Sequence, residues 1–155
     1  MPVPARLIAL LALGTAIGSS TLARTNLPVA RIEAPRRVRV IARDYFFEAP
    51  DTLPAGPTMF QLENRGKMGH ELAIFAAREG ISAAEMLAAT TPEERRARAD
   101  PPVGVLFTPL GHPLSAELLA TLERGHWYWL FCGLRDSTGM PTHFQIGMVD
   151  SIFAQ

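Results

Sequence analysis

The sequence predicts an all-β domain, a two-layer Greek-key β-sandwich carrying a short helical insertion. Three observations predict it. Apolar residues alternate with period two over 58–63 and 70–75, as in half-buried strands, and an aromatic run over 127–132 reads as a further strand. The 13 Pro and 12 Gly suit a turn-rich β protein rather than a helical bundle. Helix-start signals lie in one stretch, about residues 80–100, where Ser82-Ala-Ala-Glu85 and Thr91-Pro92-Glu93-Glu94 each have the form of a capping box.

A length of 155 residues with a formal net charge of zero suits one domain with one core. There is no basic excess and no basic stripe beyond one short run, so nucleic acid is not an expected partner. Residues 1–23 read as a secretory signal: Arg6 precedes the apolar run Leu7–Gly18, and the small residues 19–23 end at Ala23, the expected cleavage point. The apolar run is too short for a stable membrane span, so the mature chain is expected to be periplasmic or secreted. Residues 24–36 read as an N-terminal arm or linker, and 37–155 as the folded domain.

Within the domain, Val38–Ala42 is the first β-branched run and a strand, and Asp44–Glu48 is aromatic and extended. Pro50–Pro57 is turn punctuation. Thr58, Phe60 and Leu62 share one face of the next strand; His70, Leu72 and Ile74 share one face of the strand after the Asn64-Arg65-Gly66 turn. Two short helices are expected at 83–89 and 92–98, stopped by Pro101-Pro102. They read as an insertion whose trimming leaves the sandwich folded, since long loops cost little entropy. Residues 114–122 are rich in helix formers yet alternate Leu114, Ala116, Leu118, Ala120, Leu122. A strand is chosen, because the next strand needs a partner and Glu123-Arg124-Gly125 makes a hairpin loop. In the last aromatic strand Tyr128, Leu130 and Cys132 fall on the core face, and Trp127, Trp129 and Phe131 on the other.

The chemistry-bearing residues gather after that strand. Cys132 is the only cysteine, so in an exported chain it has no internal disulfide partner and is paired between chains, buried or liganded. Cys132, His143 and Met148 offer a thiolate, an imidazole and a thioether on two strand ends and the loop between them, and His70 is the best candidate for a second imidazole; such donors suit copper. The alternative is a buried core cysteine, a satisfied core histidine and a methionine filling a gap. His112 and His126 lack partners at ligand spacing, and Met68 is read as a surface methionine. Gly-x-Ser-x-Gly and phosphate-loop motifs are absent from the sequence.

Gly125-x-x-Tyr128-x-x-x-Cys132, then His143-x4-Met148 with Gly147 before the methionine, and upstream Asn64-x-Gly66-x-x-x-His70-Glu71, resemble the cupredoxin family, which includes plastocyanin and azurin. The resemblance runs from about Val38 to Phe153. It implies a cupredoxin-like sandwich with copper as cofactor, His70, Cys132 and His143 as strong ligands and Met148 as a weak axial one. One departure is the ten-residue gap between Cys132 and His143, longer than in the best-known electron carriers of the family. The expected function is one-electron transfer by an exported copper-binding protein acting with a redox partner. The alternatives are copper storage or delivery, and a metal-free domain of the same fold. No enzyme is expected, because substrate chemistry needs an open coordination position and acid–base groups, and the loop offers only Asp136.

Overall fold

The structure, a computed structural model, describes residues 34–155. The expected signal segment and most of the expected arm lie outside the described residues. Among the described residues nine strands form two sheets: β1 (Arg36–Arg43), β2 (Phe46–Glu48), β3 (Thr52–Leu53), β4 (Gly56–Asn64), β5 (His70–Ala77), β6 (Ala99–Thr108), β7 (Leu114–Leu122), β8 (Trp127–Phe131) and β9 (Val149–Ala154). One sheet has the order β2-β1-β4-β7, the other β3-β9-β8-β5-β6. The helices α1 (Ala83–Leu87) and α2 (Pro92–Arg98) lie in the connection between β5 and β6. Among the described residues no helix is long and apolar enough to cross a membrane.

The alternating pattern decides which face each strand buries. Thr58, Phe60 and Leu62 of β4 are fully buried, as are His70, Leu72 and Ile74 of β5, whose even-numbered residues point into the interlayer core. Val38, Val40 and Ala42 meet them from β1, and Tyr128 and Leu130 from β8. The first strand starts at Arg36, earlier than the β-branched run indicated, because its parallel ladder with β4 continues to the Arg36–Thr58 pair. Its outward arginines are accommodated by ion pairs such as Arg37–Glu117 and Arg39–Glu63. The segment 50–57 is not all turn: Thr52–Leu53 pairs in parallel with β9, and β4 already begins at Gly56.

Residues 114–122 form a strand despite their helix propensity, since pairing with β4 overrides it. The expected single face does not hold along its whole length. Gln61 pairs with Glu117 but Glu63 with Leu114, so β7 has one residue more than β4 at this point, a β-bulge. The Ser115 hydroxyl accepts the Leu62 N–H at 2.9 Å within the bulge. Past it the alternation resets, so Ala120 and Leu122 are buried while Leu114 is exposed.

Both capping boxes form. Ser82 Oγ accepts from the Glu85 N–H and Thr91 Oγ1 from the Glu94 N–H, with each glutamate returning to its cap residue. The insertion is not a mere add-on, however. Met86 of α1 is fully buried and clusters with Ala77, Ala99, Trp129 and Phe131 on the outer face of the five-stranded sheet. Trp129 points away from the interlayer core and would be exposed without this cover. We therefore expect Met86→Ala to destabilise the chain by about 2 kcal/mol or more, from lost transfer energy plus a cavity. Chemical denaturation checks this; a cost below about 0.5 kcal/mol, the level of an ordinary surface substitution, would return the helices to the status of a dispensable loop.

Candidate metal centre

Local structure delivers each sequence-predicted residue to one rim of the sandwich. The Asn64 side chain accepts the Gly66 N–H at 2.8 Å and donates to the Met68 carbonyl at 2.7 Å, shaping the turn that leads into β5 with His70 as its first residue. Cys132 directly follows β8 and continues the inward face of Tyr128 and Leu130. The ten-residue loop then folds back on its own stem. His143 N–H donates to the Leu134 carbonyl at 2.7 Å and Phe144 N–H to the Cys132 carbonyl at 2.8 Å. A single 3-10 turn, Phe144–Ile146, ends at Gly147, whose φ of +104° is left-handed and suits glycine. Met148 N–H then donates to the His143 carbonyl at 2.8 Å, and its own carbonyl accepts the Cys132 N–H at 3.3 Å.

Three of the four residues come together through their donor atoms: one atom each of His70, Cys132 and His143 lies within 4.8 Å of the others. Cys132 Sγ is 3.2 Å from His143 Nδ1, and the two imidazole centroids are 5.2 Å apart. Met148 is fully buried in the same core cluster as Cys132 and tied to Cys132 and His143 by the backbone bonds above. Exposure of His70 and Cys132 is 0% and of His143 1%, so the cluster is shielded from water.

Hydrogen bonding orients the imidazoles. His70 Nε2 is 3.1 Å from Asp44 Oδ1, and His143 Nε2 is 2.8 Å from Asp136 Oδ1. Burial pushes the Asp44 carboxyl up, but the Lys67 amide, the His70 imidazole and the Met68 amide outweigh it and hold the group below its usual value. The Tyr45 hydroxyl, followed by His143, does the same for Asp136. Ionised carboxylates only accept, so Nε2 carries a proton in both pairs and Nδ1 is the nitrogen that faces inward. Burial lowers the His70 pKa against the opposing pull of Asp44, which favours the neutral ring. His70 Nδ1 is buried with no hydrogen-bond partner. A buried acceptor without a partner is costly, and a cation facing it removes that cost, so the residues present fit a metal ion.

Burial also pushes the Cys132 thiol up, which favours the protonated sulfur beside His143 Nδ1. The Glu71 N–H approaches the sulfur at 3.4 Å, and the Glu71 carboxylate accepts the Gly133 N–H at 2.7 Å, fastening the two strand ends on either side of the thiol. Sequence reasoning noted Asp136 only as a nearby acid and missed Asp44 and Tyr45 entirely. Asp44 lies 26 positions from His70, and a lone Asp in a turn has no signature of such a role. Gly66 is the one indirect sign: a Cβ there would collide with the Asp44 carboxylate and stand 2.8 Å from His70 Nε2.

The sequence matches no family model and no curated protein. Among solved structures, auracyanin B is 16% identical, with 79% of this chain and 91% of that chain covered and a TM-score of 0.50. Auracyanin A, described as a "blue" copper protein from the green thermophilic photosynthetic bacterium Chloroflexus aurantiacus, is 15% identical over 79% of this chain and 100% of its own, with a TM-score of 0.49. Rusticyanin, described as a copper protein, is 20% identical over 79% and 80% of the two chains, also at 0.49. The likeness is one of fold, and it agrees with the two-sheet, mostly β architecture described above. This chain has the cupredoxin fold.

Proposed function

We propose that this chain is an exported copper-binding protein that carries single electrons, with His70, Cys132 and His143 as strong ligands and Met148 as the weak axial one. The observation that most supports the reading is the convergence of two imidazoles and the only thiol in a buried pocket, with His70 Nδ1 lacking any other partner. Two nitrogens and a thiolate with a distant thioether suit copper. Copper held there would supply a one-electron couple.

The chain's own residues do the rest. Burial keeps water from the donor atoms. The backbone bonds among Cys132, His143 and Met148, together with the carboxylates behind each imidazole, hold the donors where they are, so little has to move when one electron is gained or lost. Asp44 and Asp136 are both engaged with imidazoles, which leaves neither as a free acid or base for substrate chemistry. That favours electron exchange with a partner protein over catalysis. Export rests on the features of residues 1–23.

The test is copper addition to purified protein, followed by metal analysis and an absorption scan. An intense visible thiolate-to-Cu(II) band is expected. Stoichiometric copper without colour would move the reading to storage or delivery, and no copper at all would leave a metal-free domain. Intact mass of the protein from its native host should show a chain starting at Arg24; a chain retaining Met1 would refute processing at Ala23.

A further inference from the structure

Asp44 and Tyr45 are consecutive, in the turn between β1 and β2, and each reaches a different imidazole. Asp44 takes His70 Nε2 at 3.1 Å, and its carboxylate is itself held by the Lys67 N–H at 2.9 Å and the Met68 N–H at 3.3 Å. Tyr45 reaches His143 twice. Its ring stands edge-on at 4.9 Å between centroids, and its hydroxyl donates at 2.6 Å to Asp136 Oδ2, whose other oxygen takes His143 Nε2 at 2.8 Å. Both imidazoles are thus tied from behind to one short turn, and each faces an anion through the nitrogen that points away from the cluster.

We propose that Asp44, Tyr45 and Asp136 are positioning residues that lock both imidazoles with Nδ1 inward and bias the centre toward its oxidised state. The proposal rests on the copper reading above. An anionic acceptor on Nε2–H raises the basicity of the opposite nitrogen and fixes the ring plane. The added electron density stabilises a doubly charged ion more than a singly charged one, so the carboxylates favour Cu(II) over Cu(I). Asparagine at either position keeps an acceptor of the same shape and removes the charge, which separates electrostatic bias from mere filling of space.

Two measurements test this. In copper-free wild-type protein, long-range 15N–1H correlations should show both His70 and His143 protonated on Nε2. In copper competition, Asp44→Asn should weaken Cu(II) binding about tenfold more than Cu(I) binding. That raises the one-electron potential by about 59 mV. Asp136→Asn should shift the ratio the same way, and serves alone if Asp44→Asn does not fold. Tyr45→Phe, which removes the anchor of Asp136 but keeps its charge, should change the ratio less than either Asp variant. Asp100→Asn removes an equal charge near the opposite end of the β5–β6 ladder, where Ala77 rather than His70 is paired, and should leave the ratio unchanged. Nδ1-protonated rings in the wild type, or equal losses of Cu(II) and Cu(I) affinity in both Asp variants, overturn the proposal while leaving the copper reading intact. Wild-type protein that binds no copper overturns both, and the tautomers read without metal then show the imidazole geometry by itself.

Discussion

Cys132→Ser is expected to abolish the visible band of the copper-loaded chain and to weaken copper binding by more than the roughly 10–100-fold that loss of a supporting group costs. The thiolate is the soft donor of the set and the source of the charge-transfer colour; a serine hydroxyl is hard, stays protonated and supplies neither. Folding should survive the change. The substituted hydroxyl can still reach His143 Nδ1 and accept from the Glu71 N–H, as the sulfur now does. The stability cost should therefore stay within about 1–2 kcal/mol, the range for perturbing one buried hydrogen-bonding group. Absorption and copper titration of the folded variant are the measurements. A variant that keeps the band would show that the colour arises elsewhere and would remove Cys132 from the ligand set.

Phe60→Ala should have the largest effect on stability while leaving the ligands in place. Phe60 is fully buried in β4, paired with Val38 on one side and Leu118 on the other, and its ring faces the opposing sheet. Its removal loses the transfer energy of an aromatic ring and leaves a cavity that neighbouring strands cannot close, about 3–5 kcal/mol. A domain of this size has only about 5–15 kcal/mol in all. The denaturation midpoint should fall with an unchanged m-value. Any protein still folded should bind copper as before, since Phe60 is not among the cluster residues. A loss under about 1 kcal/mol would mean that the interlayer packing is not what holds the sheets together.

Period-two alternation was legible where a strand buries one face against the other sheet, most plainly in β4, because burial there selects every second residue; β8 is buried on both faces and is apolar throughout. It failed in β7, where the bulge at Ser115 shifts the phase and only the pairing partner on β4 specifies that shift. The capping boxes of α1 and α2 were legible because both partners lie within one turn. What those helices cover was not, because Met86 and Trp129 meet only once β8 lies under the insertion.

The same division runs through the candidate site. Local chemistry in the sequence determined the candidate donors: the only cysteine, a histidine and a methionine in one segment and a histidine opening a distant strand. It also determined the faces, since Cys132 follows Tyr128 and Leu130 inward and His70 precedes Leu72 and Ile74. Only the tertiary structure decided that the ten-residue loop closes through His143 N–H and the Leu134 carbonyl, bringing a distant imidazole to 3.2 Å from the sulfur. It alone decided which ring nitrogen faces inward, because that depends on Asp44 and Asp136 arriving from a turn and a loop to take Nε2. Alternation and capping act between neighbours in the chain, so the sequence displays them. Carboxylate–imidazole pairs join segments whose meeting is set by the packing of two whole sheets, and no local pattern encodes that meeting.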